Sequence, residues 1–155
     1  MTVPNINRED KSMKKNVIIS LKGSQQGEGN EKEEIELVTE GSYYREGTSH
    51  YITYNETEVT GLEGTTTTLK IEGNKVTMLR YGQNNTQLIF EKGQRHLCCY
   101  ETPFGAFTIG IKSDKVDIDL KEDGGVISAQ YQIDINNNLS GLNNFHLQFR
   151  NCQNQ

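Results

Sequence analysis

In the second half of the chain an apolar side chain falls on every second position, and the alternation restarts several times. Phe107, Ile109 and Ile111 form one set, Val116, Ile118 and Leu120 the next, then Ile127, Ala129, Tyr131, Ile133 and Ile135, and finally Phe145, Leu147 and Phe149. The intervening residues are polar, as with Asp117 and Asp119 or Gln130 and Gln132. A helix cannot hold a two-residue repeat on one side, because its faces recur every 3.6 residues, whereas successive side chains of a strand point to opposite faces. These segments are therefore expected as strands with one packed and one wet face. Ser113-Asp114, residues 122–125 and residues 136–144 supply the turn chemistry between them.

The first half repeats the pattern less cleanly. Val17, Ile19 and Leu21 define one face, and a polar loop over residues 23–32 leads to Ile35 and Leu37, whose face continues through Gly41 and Tyr43. A helix competes over residues 31–40, where glutamates suit a helix N-terminus, but Val38, Thr39 and the run Gly41-Ser42-Tyr43-Tyr44 favour an extended, bulged strand. Residues 50–56 alternate next. Thr65, Thr67, Leu69 and Ile71 then share a face, Gly73-Asn74 has the composition of a hairpin turn, and Val76, Met78 and Arg80 follow. Residues 83–85 and Lys92-Gly93 read as turns around a strand at 88–90, with another strand over 95–102.

About ten short strands at intervals near a dozen residues are the spacing of an all-β, antiparallel sandwich or barrel. An up-and-down closed barrel of about eight to ten strands is the expected architecture, because closure removes the unpaired edges that promote aggregation; a two-sheet β-sandwich is the alternative. Residues 1–14 read as a flexible polar tail, with Met13 an alternative start to Met1, and residues 15–155 as one domain.

Composition excludes several function classes. A net charge of −5, with Lys14-Lys15 the principal basic pair, argues against nucleic-acid binding, which depends on clustered cations. No apolar run approaches the roughly 18 residues of a membrane-spanning helix, and the patch Val17-Ile18-Ile19 is too short for a secretory signal. A cytoplasmic protein with reduced thiols is expected, since adjacent Cys98 and Cys99 point to opposite faces of a strand. No metal or cofactor is expected: His50, His96 and His146 are scattered, and no helix follows Gly23, Gly27 and Gly29 to make a nucleotide fingerprint. His96 and Cys98 share a face but sit roughly 7 Å apart, beyond hydrogen-bond reach, so no catalytic residue is assigned. Glu91, Arg95, His96 and Glu101 form a polar set around a hairpin turn, and Thr102-Pro103-Phe104-Gly105 suits a tight corner with an aromatic cap.

The candidate site follows from strand phase. If Leu69 and Ile71 point inward, Thr65 and Thr67 do too; Met78 brings Arg80, and Ile52 brings Tyr54 and Glu56. Tyr54, Glu56, Thr65, Thr67 and Arg80 are thus expected towards one end of the interior. Two readings of that group follow. Glu56 and Arg80 can be a structural ion pair at the barrel mouth, or Arg80 can anchor the carboxylate or phosphate of a small apolar or amphipathic ligand. A side-chain-filled barrel that meets a protein partner through its outer face is the alternative function, and neither a monomer nor a homodimer is favoured.

The order Gly61-Leu62-Glu63-Gly64, Thr65-Thr66-Thr67-Thr68-Leu69-Lys70-Ile71, Val76 to Arg80-Tyr81-Gly82, Phe90-Glu91, Tyr100-Glu101-Thr102-Pro103-Phe104-Gly105 and the late strand over residues 125–131 resembles the YwiB-like family of low-GC Gram-positive bacteria. The resemblance spans about residues 16–149. It implies a small cytosolic protein of unknown function built as a calycin-like, lipocalin-related β-barrel, and it carries over no catalytic residue.

Overall fold

The alternation closes into a ring. The computed structural model describes residues 14–26, 32–82, 85–136 and 138–152. All but the last residue of the expected N-terminal tail lies outside them, as do residues 83–84 of one expected turn. Ten strands follow in chain order: β1 (Lys15–Gln26), β2 (Lys32–Glu46), β3 (Ser49–Asn55), β4 (Thr65–Glu72), β5 (Lys75–Gly82), β6 (Thr86–Glu91), β7 (Arg95–Thr102), β8 (Gly105–Lys121), β9 (Gly124–Ile135) and β10 (Asn138–Asn151). Each pairs antiparallel with its chain neighbour, and β1 pairs with β10, so the sheet is a closed barrel rather than a sandwich. Among the described residues no helix is long and apolar enough to cross a membrane.

The predicted phases hold along most strands. Val17, Ile19, Ile52, Leu69, Ile71, Val76, Phe90, Ile111, Ile127 and Leu147 are all but completely buried inside the ring. The competing helix at residues 31–40 is absent because that segment pairs with β1 from Lys32 to Tyr43. At Gly41 a side chain would not fit: a Cβ there would stand 2.4 Å from the Thr53 carbonyl oxygen and 2.5 Å from Ile19 Cδ1. Gly41 therefore lets β2 lie close over Ile19 and Tyr54.

Two of the expected turn segments are shorter than their composition suggests, and a third is no turn; residues 27–31 of the first lie outside the described residues. β1 runs through Gly23 to Gln26 and β2 resumes at Lys32, because Gly23 to Gln26 are paired on both sides, with β2 and with β10. Ser113-Asp114 lies within a single long strand, β8, where the register with β9 slips between Ser113 and Lys115. The break in alternation between Ile111 and Val116 marks this bulge, which carries one extra residue without ending the strand. β10 likewise begins at Asn138 and absorbs a register shift between Leu139 and Leu142. The Pro103-Phe104 corner does join β7 to β8, but Phe104 is 93% exposed and is no cap on the core.

The polar set of β6 and β7 divides between the two faces of the sheet, His96 sharing the phase of buried Cys98 and Arg95 lying outside. His96 Nε2 meets Glu91 Oε1 at 2.9 Å, whereas Arg95 reaches across β8 to a forked pair with Asp134 on β9, at 2.9 and 2.8 Å. The two side chains cross directly over Gly110, where a Cβ would fall 2.5 Å from Arg95 Nη2. The hydrogen bonds and charge of Arg95 hold the Asp134 carboxyl below its usual range.

Candidate functional site

The barrel interior is unequal along its axis. Towards the end where β1 begins and β10 finishes, Val17, Ile71, Val76, Phe90, Ile127 and Phe149 fill the space. Towards the other end a cavity of about 490 Å³ opens, lined among others by Leu21, Leu62, Met78, Leu88, Tyr131 and Phe145. Its floor is aromatic: Phe90 meets Tyr131 edge-on at 4.7 Å and Phe145 at 5.3 Å between ring centroids. Such edge-to-face packing fixes the rings against one another and separates the filled half from the open one.

Strand register explains which polar groups reach the cavity. Tyr54 of β3 lies opposite Thr67 of β4, and Thr67 opposite Arg80 of β5, so the three form one row across the sheet. Glu56 follows the last residue of β3, held back over the row by its backbone N–H, which donates to the Thr65 carbonyl at 2.8 Å. The segment 56–64 then turns tightly, with Thr60 N–H donating to the Thr57 carbonyl and Gly61 N–H to that of Glu58, which returns Thr60 to the carboxylate. Thr67 Oγ1 donates to Glu56 Oε2 at 2.5 Å and Thr60 Oγ1 to Oε1 at 2.7 Å. A carboxylate only 1% exposed is thus accommodated by two hydroxyls.

Arg80 stands beside this anion without bonding to it. Its Nε lies 3.8 Å from Glu56 Oε2, an ion-pair distance beyond a hydrogen bond, and that buried Nε has no hydrogen-bond partner among the described residues. The guanidinium side chain is 21% exposed and borders the cavity. Tyr54 is buried in the same group, and its hydroxyl is pushed well above the ordinary phenol range, first by burial and then by the Glu56 charge. Across the cavity, burial also raises Tyr131, against the pull of the Arg80 charge.

Of the five residues predicted from phase, Tyr54, Glu56 and Arg80 border the cavity. Thr67 and Thr65 point inward but do not line it; Thr67 stands behind Glu56, and Thr65 is covered by the segment 56–64. Sequence reasoning missed Thr60 and Leu62, which the turn brings in, and Asn143. Asn143 is only 4% exposed, lies opposite Tyr131, and its Nδ2 has no partner among the described residues. Continuing the alternation of Phe149, Leu147 and Phe145 backwards places Asn143 inside, a signal masked by the Asn-rich composition of its segment.

The other candidate chemistry is inert. Cys98 is buried, accepts the Ile89 N–H at 3.4 Å and donates to the His96 carbonyl rather than to its ring. Burial pushes its thiol up, away from the thiolate that nucleophilic chemistry needs. Among the described residues no three His, Cys, Asp or Glu side chains converge as a metal site would require.

Comparison with known proteins places these features in context. The model of a domain of unknown function, DUF1934, matches residues 19–147. The uncharacterized β-barrel protein YwiB of Bacillus subtilis is 27% identical over 133 residues, covering 86% of this chain and 92% of that protein. The crystal structure of the ywiB protein from Bacillus subtilis shares the fold with a TM-score of 0.82 at 21% identity, over 94% of this chain and 98% of that one. The resemblance read from the Thr-rich strand and the Thr-Pro-Phe-Gly corner is borne out.

Proposed function

The chain belongs to the DUF1934 family, a domain of unknown function, and from that premise we propose that it is a binding module whose barrel takes a small, partly apolar ligand bearing a carboxylate or phosphate. The observation that carries the reading is Arg80: its side chain borders a cavity of about 490 Å³, and its buried Nε makes no hydrogen bond among the described residues. Buried donors in native proteins are nearly always satisfied, so a donor left open at a cavity wall suits an external acceptor. The volume falls in the range of about 300–1,000 Å³ typical of small-molecule sites, and the apolar lining suits the rest of such a ligand.

In this reading Glu56 and Thr67 orient the site and Tyr54 closes it on one side. Glu56 balances part of the Arg80 charge while the cavity is empty, which limits the cost of holding an arginine inside a barrel. The calycin analogy supports a ligand only at the level of architecture, since one fold hosts many functions. We also propose a reducing cytosol as its compartment, a reading supported by the free thiols of Cys98 and Cys99. Native mass spectrometry of protein purified from its own cells tests it. A co-purifying small molecule, lost in Arg80→Met, is the expected result; bare protein, with no thermal shift against a lipid and metabolite panel, would sink it.

A further inference from the structure

We infer that the ligand head group is a single carboxylate, held between Arg80 and Asn143 at one level of the barrel with the apolar body directed down to the aromatic floor. The inference rests on the ligand-binding reading above and narrows it.

Among the described residues that line the cavity, the unpartnered buried polar atoms are Arg80 Nε and Asn143 Nδ2, and both are donors. A matching head group must therefore accept hydrogen bonds rather than donate them, as a carboxylate does. The two residues come from β5 and β10, which lie on opposite sides of the ten-strand ring. They face each other across the lumen, Tyr131 stands next to Asn143 on β9, and the charge of Arg80 is felt at its hydroxyl. These side chains form a polar collar.

Chain direction sets what lies below that collar. Met78 is two residues deeper than Arg80 along β5, and Phe145 two residues deeper than Asn143 along β10. At about 3.3 Å per residue, this puts the apolar lining roughly 6–7 Å below the donors. A compact apolar body fits that depth with its head at the collar.

Charge then selects among acceptors. Among the described residues the one cation on the cavity wall is Arg80, which already faces the Glu56 carboxylate at 3.8 Å, and Glu33 and Glu34 also line the cavity. Lys32 pairs with Glu34 at 3.3 Å, and among the described residues Glu33 has no counter-ion, so its negative charge stands in full against an incoming anion. A phosphate monoester, with close to two charges at neutral pH, meets more repulsion from these carboxylates than Arg80 offsets. A carboxylate brings one charge and a planar pair of oxygens suited to a guanidinium.

The experiment compares three molecules of one body, 3-phenylpropanoate, 3-phenylpropyl phosphate and 3-phenylpropanol, by calorimetric or NMR titration against the full chain. The carboxylate is expected to bind at least roughly tenfold more tightly than either of the others, the scale of one charge-assisted hydrogen bond. Asn143→Leu, which keeps the side-chain volume, is expected to remove about tenfold of that affinity while the melting temperature holds. Phosphate binding as tightly as carboxylate overturns the charge argument and leaves the ligand-binding reading standing. Alcohol binding as tightly overturns head-group recognition altogether, and an unchanged affinity in a folded Asn143→Leu removes Asn143 from the site. If none of the three binds while a different molecule co-purifies, this inference alone fails; if none binds and the purified protein is bare, the parent reading fails with it.

Discussion

The two halves of the barrel interior are built from the same strands and obey opposite rules. In the filled half, inward positions carry Val17, Ile71, Val76, Phe90 and Ile127, and the polar pair there, the Tyr43 hydroxyl and His50 Nδ1 at 2.7 Å, satisfies itself. In the open half, four residues further along β4 and β5 and at the matching ends of β3 and β10, inward positions carry Thr67, Arg80, Tyr54 and Asn143. Since strand pairing is continuous through both, what separates them is the side chains alone. The filled half stabilises by burial, at roughly 25 cal/mol per Å² of apolar surface. The open half holds groups whose desolvation is costly and whose partners are incomplete. Apolar burial is thus concentrated at one end of the lumen and polar groups at the other.

That contrast can be attacked directly. Phe90→Ala, in the floor between the halves, is expected to cost about 3–5 kcal/mol of stability, read as a fall in the urea midpoint, because the cavity left among packed rings cannot collapse. Glu56→Ala comes next, at about 2–3 kcal/mol, since it strips the Thr60 and Thr67 hydroxyls of their acceptor and leaves Arg80 without its counter-charge. A Glu56→Ala loss as large as that of Phe90→Ala would make the polar end a second structural core and erase the distinction.

Alkaline pH sharpens the comparison from the other side. Tyr54 keeps its proton in the folded state at a pH where the unfolded chain has lost it, so its contribution is present in full below about pH 10 and is lost as pH rises further, at about 1.4 kcal/mol per unit. Urea titrations between pH 9 and pH 11 should show this decline, and Tyr54→Phe should flatten it; an identical slope in the variant would show that the hydroxyl is not held in the buried group. The smallest expected stability effect is Arg80→Met, about 1–2 kcal/mol, because its Nε makes no hydrogen bond to lose and the Thr60 and Thr67 hydroxyls still hold the Glu56 carboxylate. Its effect on ligand retention should be complete. A loss of several kcal/mol would instead favour the structural ion pair over the anchor.

Much of this was legible in the sequence because strand phase is local information. Ile52 and Leu69 fix the inward parity of β3 and β4, and Tyr54, Glu56 and Thr67 follow from it. Register is non-local and was not legible. Ser113-Asp114 reads as a turn by composition, and only the pairing of Ser113 with Tyr131 and Lys115 with Gln130 makes it a bulge. The same limit hid Asn143, whose neighbours are Tyr131 beside it on β9 and β5 on the opposite side of the ring. Thr65 erred differently. Its parity was right, but the segment 56–64, whose path depends on turn hydrogen bonds, lies between it and the cavity. The ring's closure was inferred from the need to bury edges rather than from a residue, and the β1–β10 register supplies it.

That closure also shapes how the chain must fold. Nine of the ten strand pairings join chain neighbours and can zip from hairpins on a microsecond timescale. The tenth brings together Ser24 and Asn144, which share a side-chain hydrogen bond across 120 positions of chain. Loop-closure entropy rises with separation, so this seam is the pairing expected to form late, and topologies dominated by such contacts fold slowly. Until it forms, β1 and β10 are two raw edges, each able to recruit the matching edge of another chain. The step that completes the barrel is therefore also the one at which a swapped dimer or an aggregate competes with the monomer, and high protein concentration during refolding should tilt the outcome towards them.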